Sequence, residues 1–401
     1  MKKSIITMGI IVTIGSIALL YDSNKKEVLL NKEEITNNKS IAIYVKQEDG
    51  NYEKTNTIPE SGYMLNEERS VCSNNAKPNW NINTKSLKIN NLSSNNTSCY
   101  LYFEPTTEEV NTILGNITVN KYTPDFSKIA TTDEGIFKTN DNDGVSYYWR
   151  GATTTNYLKF GGYCWRIIRI NGDGTIRLIY DGTTCHSNGE VTTDSIAVEN
   201  VSYSTNKDRS EYVGWTYTEG LQRPINNNEG TPSNAKTKLE EWYNTNLKNY
   251  ESKIADGKYC NDRNVVNGQS WSSSPSASFN YASYKRLYED YMPTLNCSSN
   301  DLYTLKVGLI MADEIELSGC KNAINTSYYL YNGQNYWTIS PYQWYYGSST
   351  SLYARVFAVN SDGYFGYWNV DYTHGVRPVI NLKSNVTLTG TGTINDPYEV
   401  I

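Results

Sequence analysis

Residues 163–180, YCWRIIRINGDGTIRLIY, are the stretch of this chain that most directly predicts its fold. Two runs of β-branched and aromatic residues flank Asn171-Gly172-Asp173-Gly174, which is typical of a type I turn followed by a bulge with Gly174 in the left-handed region. The predicted register pairs Ile170 with Ile176, Ile168 with Leu178, and Arg169 with Arg177. Apolar residues occur on both faces, so we expect the hairpin at the centre of a sheet. The two adjacent arginines then require solvent or an anion beside them.

The elements that follow the hairpin are a helix, a long excursion and a buried strand. Residues 233–256 predict the helix, because six residues recur there at helical spacing: Leu239, Trp242, Tyr243, Leu247, Tyr250 and Ile254. Residues 305–311 predict the buried strand, and residues 312–317 a short helix ended by Gly319. The loop-rich segment 257–304 lies between them, and a loop of that length is typically functional or held by a cross-link.

The rest of the chain predicts four further segments. Residues 1–22 begin with two lysines and continue as an apolar run, which predicts an N-terminal hydrophobic helix acting as a signal peptide or membrane anchor. Whether it is cleaved stays open. We expect a spacer over residues 23–40, a small all-β, sandwich-like domain over residues 41–104 and a linker over residues 105–135. The linker carries few apolar residues and one expected helical turn that starts at Thr106.

Seven cysteines in an exported chain predict disulfides and one leftover thiol. Neighbourhood in the sequence favours three pairs: Cys72 with Cys99, Cys164 with Cys185, and Cys260 with Cys297. Cys320 is left over. A zinc site is disfavoured, since the chain has no C-x-x-C pair and two histidines, His186 and His374.

Charge and composition limit the classes of partner. The net charge is −6 and no basic block follows the N-terminus, so nucleic acid is not an expected partner. Tyrosine outnumbers phenylalanine 35 to 7. A tyrosine ring packs against apolar groups while its hydroxyl stays hydrated, so these residues suit both strands and binding surfaces.

An aromatic stretch, residues 342–374, is the predicted ligand-binding site. Tyrosine and tryptophan alternate there with serine, asparagine and glycine, which is typical of recognition surfaces. The predicted ligand-binding residues are Trp344, Tyr345, Tyr346, Tyr364, Tyr367, Trp368 and Tyr372. We expect Trp344, Tyr346, Tyr364 and Tyr367 to be exposed, whereas Trp337 and Phe357 should lie in the core.

The larger domain, residues 136–401, resembles a family of exported Gram-positive-type surface proteins of unknown function. The segments that carry the resemblance are residues 146–151, 162–174, 307–314, 336–341 and 375–382. The resemblance implies an α+β, C-type-lectin-like and formylglycine-generating-enzyme-like fold, preceded by the small all-β domain. Some proteins of that broader fold are variable proteins diversified by retroelements. Residues 342–374 occupy the place of their variable stretch.

Enzymatic and metal sites are weakly indicated. A formylglycine-type oxidase needs two cysteines for copper late in the domain, where only Cys320 stands. The acidic turns at residues 141–144 and 171–174 look like calcium loops, but an EF-hand that began at Asp141 would need a glutamate where Ala152 stands. No Gly-x-Ser-x-Gly nucleophile motif occurs, and no carboxylate pair stands out for a glycosidase. We therefore predict no catalytic residue, no metal and no cofactor.

Together these patterns predict a non-enzymatic, adhesin-like binding protein. It would be extracellular, at the cell surface or tethered to the membrane through the N-terminal segment alone. Its partner would be a protein or glycan ligand on a cell surface. Two alternatives stay open: a structural cell-envelope protein that packs on wall polymer or on itself, and a degraded enzyme scaffold.

Overall fold

The computed structural model describes residues 40–47, 49–59, 63–81, 86–91, 97–227 and 229–401, together with the strand backbones of Leu19–Tyr21 and Glu27–Leu30. The chain divides into two units, Met1–Glu108 and Glu109–Ile401. Strand makes up 44% and helix 11%, in several sheets that include a curled half-barrel. The predicted α+β, C-type-lectin-like fold is therefore wrong. The segments that suggested it are short strand and turn patterns, and such patterns do not determine the order of strands in a sheet.

The first unit is built from two sheets. Its strands are β1 (Leu19–Tyr21), β2 (Glu27–Leu30), β3 (Ser40–Lys46), β4 (Tyr52–Thr55), β5 (Tyr63–Leu65), β6 (Val71–Cys72), β7 (Lys77–Asn81), β8 (Ser86–Asn90) and β9 (Ser98–Pro105). One sheet has the order β1-β2-β8-β7, and the other β4-β3-β9-β5 with β6 also paired to β9. Alternate residues of β3, β8 and β9, such as Ile43, Ile89 and Leu101, share one core.

The segment predicted as a linker with one helical turn, residues 105–135, forms strands. It contains strands β10 (Thr107–Thr112) and β11 (Gly115–Asn120) and the start of β12 (Asp133–Asp141). The expected helical turn at Thr106 is instead the approach to β10. Ile117 and Val119 alternate into the core of the second unit, which explains why this polar segment forms strands.

The described part of the second unit holds the remaining strands in two large sheets and two small ones. The strands are β13 (Gly144–Gly151), β14 (Tyr157–Phe160), β15 (Tyr163–Ile170), β16 (Ile176–Gly182), β17 (Val198–Ser202), β18 (Thr216–Tyr217), β19 (Thr231–Pro232), β20 (Gly257–Cys260), β21 (Phe279–Asn280), β22 (Leu302–Leu305), β23 (Val307–Gly308), β24 (Tyr336–Ser348), β25 (Ser351–Val359), β26 (Phe365–Asn369), β27 (Thr373–Val376), β28 (Val379–Leu382), β29 (Leu388–Thr389) and β30 (Tyr398–Val400). An 11-stranded sheet follows β10-β11-β12-β13-β15-β14-β30-β29, with β16, β23 and β28 attached beside β15. A 6-stranded sheet follows β17-β27-β24-β25-β26, with β21 paired to β24. The two small sheets pair β18 with β19 and β20 with β22.

The hairpin β15–β16 lies inside the larger sheet, because β16 pairs with β15 on one edge and with β28 on the other. Its turn is as predicted, with Gly174 at φ +81° and its amide donating to the carbonyl of Asn171. Two of the three predicted pairs form, Ile170 with Ile176 and Arg169 with Arg177. The third is wrong: a bulge between Ile167 and Arg169 places Ile167, not Ile168, opposite Leu178.

The two adjacent arginines of this hairpin face a buried carboxylate. Arg169 Nε lies 2.9 Å and Arg177 Nε 2.5 Å from Glu314 Oε1, and the side chain of Glu314 is fully buried. Asp141 provides a second partner for Arg169 at 2.8 Å. Of the two predicted alternatives, solvent or an anion beside the pair, the structure shows the anion, and it comes from a helix far away in the sequence.

Helices are few in the described part of the chain. They are α1 (Asn234–Asn246), α2 (Ala282–Tyr284) and α3 (Ala312–Leu317), with single-turn segments at Ser210–Val213, Lys248–Lys253, Lys285–Glu289 and Ser299–Asp301. The hydroxyl of Ser233 caps α1 by accepting from the amide of Lys236 at 3.1 Å. The predicted helix 233–256 ends earlier than expected, at Asn246, and Lys248–Lys253 forms a 3₁₀ helix instead. Leu239, Tyr243 and Leu247 form its buried stripe.

The strand predicted over residues 305–311 is broken into β22 and β23, while Leu309, Ile310 and Met311 are buried without strand pairing. The chain must leave the sheet there to begin α3. Met311 then accepts the amide of Ile315, as in the first turn of a helix.

The three cysteine pairs favoured by the sequence, Cys72–Cys99, Cys164–Cys185 and Cys260–Cys297, are disulfide-bonded. The thiol of Cys320 is free and buried. The third bridge closes the excursion between α1 and β23. Three disulfides are compatible with an oxidising, extracellular environment.

The predicted signal peptide or anchor over residues 1–22 and spacer over residues 23–40 lie almost wholly outside the described residues. Only Leu19–Tyr21 of the expected hydrophobic helix is described, and its backbone is a strand. Within the described part of the chain, no helix has the length and apolar character needed to cross a bilayer.

Candidate ligand-binding face

The long hairpin β24–β25 and its neighbour β26 bring four side chains to one open face of the smaller sheet. Tyr345 pairs with Tyr353 across the hairpin, and Phe357 pairs with Tyr367 across the next ladder. Arg355 lies between these two pairs along β25. We call Tyr345, Tyr353, Arg355 and Tyr367 the tyrosine–arginine face.

The rings of this face surround a single cation. The guanidinium carbon of Arg355 lies 4.2 Å from the ring centroid of Tyr345, 4.8 Å from that of Tyr367 and 5.8 Å from that of Tyr353. Tyr345 is 36% and Tyr367 39% exposed, so both rings remain open to solvent. Such distances are typical of cation–π contacts, which hold the guanidinium against the rings.

Neutral amides fix the orientation of Arg355. Its Nε donates to Oδ1 of Asn369 at 3.0 Å, and its Nη1 donates to Oε1 of Gln343 at 3.0 Å. Gln343 in turn donates to Oδ1 of Asn280 at 2.9 Å. Among the residues that the structure describes, no carboxylate lies within ion-pair distance of Arg355 and none accepts a hydrogen bond from its Nη2. The cation is therefore positioned but not neutralised.

A buried aromatic cluster packs against the tyrosine–arginine face at Tyr367. The ring of Tyr342 stacks on Tyr367 with centroids 4.1 Å apart and meets Phe357 edge-on at 4.9 Å. Tyr288 packs on Phe357 and donates its hydroxyl to the carbonyl of Phe365 at 2.9 Å. Burial raises the pKa of Tyr288 and of Tyr342 above the ordinary value for tyrosine. These contacts restrict the rotamers of the face before any ligand arrives.

A second cation flanks the face but is already paired. Lys207 Nζ lies 3.0 Å from Asp371 Oδ2 and 4.8 Å from the ring centroid of Tyr353. The hydrogen bond to Asp371 raises the pKa of Lys207 above its ordinary value. Arg355 and Lys207 are thus distinguished by the presence of a carboxylate partner.

Only two of the predicted ligand-binding residues, Tyr345 and Tyr367, belong to this face. Trp344 is fully buried, contrary to its predicted exposure, and donates its Nε1–H to the carbonyl of Pro275 at 3.1 Å. Successive residues of a strand point to opposite faces, so Trp344 lies on the face opposite Tyr345, where its strand partners Ala354 and Phe279 are also buried. Trp337 and Phe357 are fully buried, as expected.

The other predicted residues lie elsewhere. Tyr346 is half-buried near the hairpin end, where its amide donates to the hydroxyl of Ser278. Tyr364 is half-buried and donates its hydroxyl to Asn322. Trp368 and Tyr372 form a separate pair with ring centroids 5.2 Å apart, and Tyr372 is 50% exposed.

Sequence reasoning missed the cation and its amide supports. Arg355, Gln343 and Asn369 carry no motif of their own. The signal that was present is period two along β25, where Tyr353, Arg355 and Phe357 alternate with small or aliphatic residues.

The two calcium-like turns, residues 141–144 and 171–174, lie in contact. Their carboxylates accept a backbone hydrogen bond and form ion pairs with nearby cations. Oδ2 of Asp141 accepts the amide of Gly172 at 2.9 Å and pairs with Arg169. Asp143 pairs with Lys258. Across the described ranges no cluster of three or more histidine, cysteine, aspartate or glutamate side chains has the arrangement of a metal site.

The chain matches no family model, no curated protein and no solved structure. The family resemblance therefore stays a prediction.

Proposed function

We propose that this chain is a non-enzymatic binding protein that holds a ligand on the tyrosine–arginine face. The observation that carries the proposal is the pair of exposed rings, Tyr345 and Tyr367, beside a cation that neutral amides hold in place. Tyrosine and arginine are the residue types most enriched where binding energy concentrates. A face built on paired strands also loses little conformational entropy when a ligand binds.

The same proposal places the protein outside the cytoplasm. Three disulfides persist in oxidising compartments. The two lysines and the apolar run at the N-terminus favour export, with retention at the cell surface if the run is not cleaved. The ligand would then be a protein or glycan on a neighbouring surface.

The test is a binding screen with the full, oxidised chain on an array of neutral and acidic oligosaccharides and on intact cells. The double substitution Tyr345→Ala and Tyr367→Ala should weaken binding at least about tenfold, since each truncates an exposed ring of the face. Tyr100→Ala is the matched control, because Tyr100 is 47% exposed in the first unit. The proposal fails if the double variant binds as tightly as the control.

Two other outcomes identify the alternatives. Concentration-dependent self-association that the double variant abolishes, with no soluble ligand found, indicates the structural cell-envelope protein. If binding survives the double variant but is lost with Tyr372→Ala, the binding site is the Trp368–Tyr372 pair.

We expect any diversification of residues 342–374 to be confined to exposed positions. Trp344, Phe357 and Phe365 are fully buried, so codon changes there would destabilise the sheet. We expect variation at Tyr345 and Tyr367 instead. A nearby reverse transcriptase and a template repeat that differs at the adenines of exposed positions would support this; differences spread equally over buried codons would contradict it.

A further inference from the structure

We infer that the ligand of the tyrosine–arginine face is an acidic glycan, whose carboxylate pairs with Arg355 while its sugar rings stack on the neighbouring tyrosines. The inference rests on the proposed function and names the chemical class of its ligand. Four features carry it: the state of the guanidinium, its free donors, the chemistry of the surrounding side chains and the charge of the chain.

Arg355 lacks the counter-charge that most other arginines of the second unit have. Arg166 also has no carboxylate partner among the described residues, but it is fully buried and donates to Asn156, Asn188 and the carbonyl of Thr153, so a ligand does not reach it. Arg263 lies 3.3 Å from Asp301, and Arg286 lies 2.7 Å from Asp313 and 3.1 Å from Asp262. Around Arg355 the described residues supply amide oxygens only. A half-buried cation with no carboxylate partner gains most from a ligand that brings one.

The donors left on Arg355 suit a carboxylate. Gln343 and Asn369 use one hydrogen of Nη1 and the hydrogen of Nε. Both hydrogens of Nη2 and the second hydrogen of Nη1 remain, which is the edge of the guanidinium that binds a carboxylate through two parallel hydrogen bonds. The tyrosine rings exclude water from the faces of the guanidinium, which strengthens that ion pair.

The side chains around Arg355 favour a hydroxylated ligand over a peptide. The side chains that anchor a protein partner are typically received by an apolar pocket. The face offers instead the nearly parallel rings of Tyr345 and Tyr353, 27° apart with centroids 6.1 Å apart, and the amides of Gln343 and Asn369. Aromatic rings contact the apolar face of a sugar, and amides donate to and accept from its hydroxyls.

The net charge of the chain, −6, favours binding of an acidic ligand at Arg355 over non-specific binding elsewhere on the protein. An acidic polymer therefore gains no general electrostatic attraction from the protein, and its binding should depend on a local cation. It should also weaken as salt increases, because the ion pair lies at a partly solvated surface.

The experiment uses the full, oxidised chain with polygalacturonate, its carboxyl-reduced form and poly-glutamate as immobilised probes. We expect binding to polygalacturonate and at least about tenfold weaker binding to the reduced polymer, since one charge-assisted pair is lost per site. Arg355→Gln should remove that preference. Arg355→Lys should keep only part of it, because a lysine lacks the planar fork.

A second variant separates loss of the cation from loss of the fold. Asn369→Asp keeps Arg355 in place but supplies a carboxylate at its Nε, and it should weaken polygalacturonate binding as much as Arg355→Gln does. Lys248→Gln is the control and should change binding less than about threefold, because Lys248 is an exposed lysine outside the face that pairs with Glu251. Thermal unfolding reports whether each variant is folded.

Three results overturn the inference, and the first two of them leave the proposed function intact. Equal binding to acidic and reduced polymers, lost with Tyr345→Ala and Tyr367→Ala but not with Arg355→Gln, shows a binding face that does not read the carboxylate. Arg355-dependent binding to poly-glutamate alone shows an acidic peptide ligand. If no probe binds, the acidic glycan is excluded as the ligand. The screen with oligosaccharides and cells then tests whether the tyrosine–arginine face binds a ligand at all.

Discussion

Replacing Glu314 with glutamine tests how the central hairpin of the second unit is held. The carboxylate of Glu314 is fully buried, bridges Arg169 and Arg177, and accepts the amide of Met311 at 3.0 Å. Glutamine keeps the shape but removes the charge. Arg169 retains Asp141, whereas Arg177 keeps no carboxylate among the described residues. Removing one partner of a buried ion pair costs about 3–5 kcal/mol, because the other charge stays buried and unpaired.

The expected loss is large enough to measure by calorimetry. For a unit of about 290 residues, an unfolding entropy of roughly 2.1 cal/mol/K per residue makes one kcal/mol correspond to roughly 1.6 °C in Tm, so Glu314→Gln should lower the Tm of the second unit by roughly 5–8 °C. Asp143→Asn is the matched control, an acid-to-amide change in the partly exposed pair with Lys258. It should cost about 1 kcal/mol or less. Equal shifts for the two variants would refute the reasoning, because burial would then not decide the cost.

The pH dependence gives an independent check on the same residue. Burial alone would raise the pKa of Glu314, but the charges of Arg177 and Arg169 outweigh it and lower that pKa below its ordinary value of 4.5. A lowered carboxyl pKa contributes stability that is present above pH 4.5 and is lost as the pH falls through the folded-state pKa. The difference in stability between wild type and Glu314→Gln should therefore be full at pH 7 and should shrink below pH 4.5.

Three further titratable groups give predictions of their own. Burial lowers the pKa of His186, but hydrogen bonds to Glu190 and Asp194 outweigh it and raise that pKa above 6.5. His186→Gln should therefore cost stability at pH 5.5 and little at pH 9, as thermal unfolding at the two pH values would show. Burial raises the pKa of the Cys320 thiol to about 12, so iodoacetamide at pH 8 should modify it only after unfolding, as measured by intact mass. Burial raises the pKa of Glu316 to about 9. The contribution of Glu316 to stability should then fall as the pH rises from 4.5 towards 9, so Glu316→Gln should be more stable than wild type at pH 7 and equal to it near pH 4 in urea unfolding.

Local chemistry explains which parts of the fold could be predicted. The turn at Gly174 and the pairing of Ile170 with Ile176 depend on residues within the hairpin, and both form as expected. The pairing of two arginines also predicted solvent or an anion beside them, because like charges side by side are costly in any fold, and the structure provides an anion. Which anion was beyond the sequence, since Glu314 comes from a distant helix.

Strand order and strand irregularity explain what could not be predicted. The C-type-lectin-like fold was inferred from short segments that each predict a strand, but a strand pattern does not identify its neighbours. The same limit appears at the bulge after Ile167, which moves Ile168 out of its expected pair with Leu178. A bulge adds one residue to one strand, and contacts outside the hairpin decide where it occurs.

The binding face shows why a run of neighbouring aromatic residues is a poor guide to a site in a β protein. Trp344, Tyr345 and Tyr346 are adjacent in the sequence, yet Trp344 is fully buried while Tyr345 is exposed. The residues that do share a face come from three strands, at positions such as Arg355 and Tyr367 that are far apart in the sequence. They are related by period two along each strand and by register between strands. A search for such sites should therefore score alternate residues of adjacent strands together, with cations included. Applied here, that rule would have joined Tyr345, Arg355 and Tyr367 and rejected Trp344.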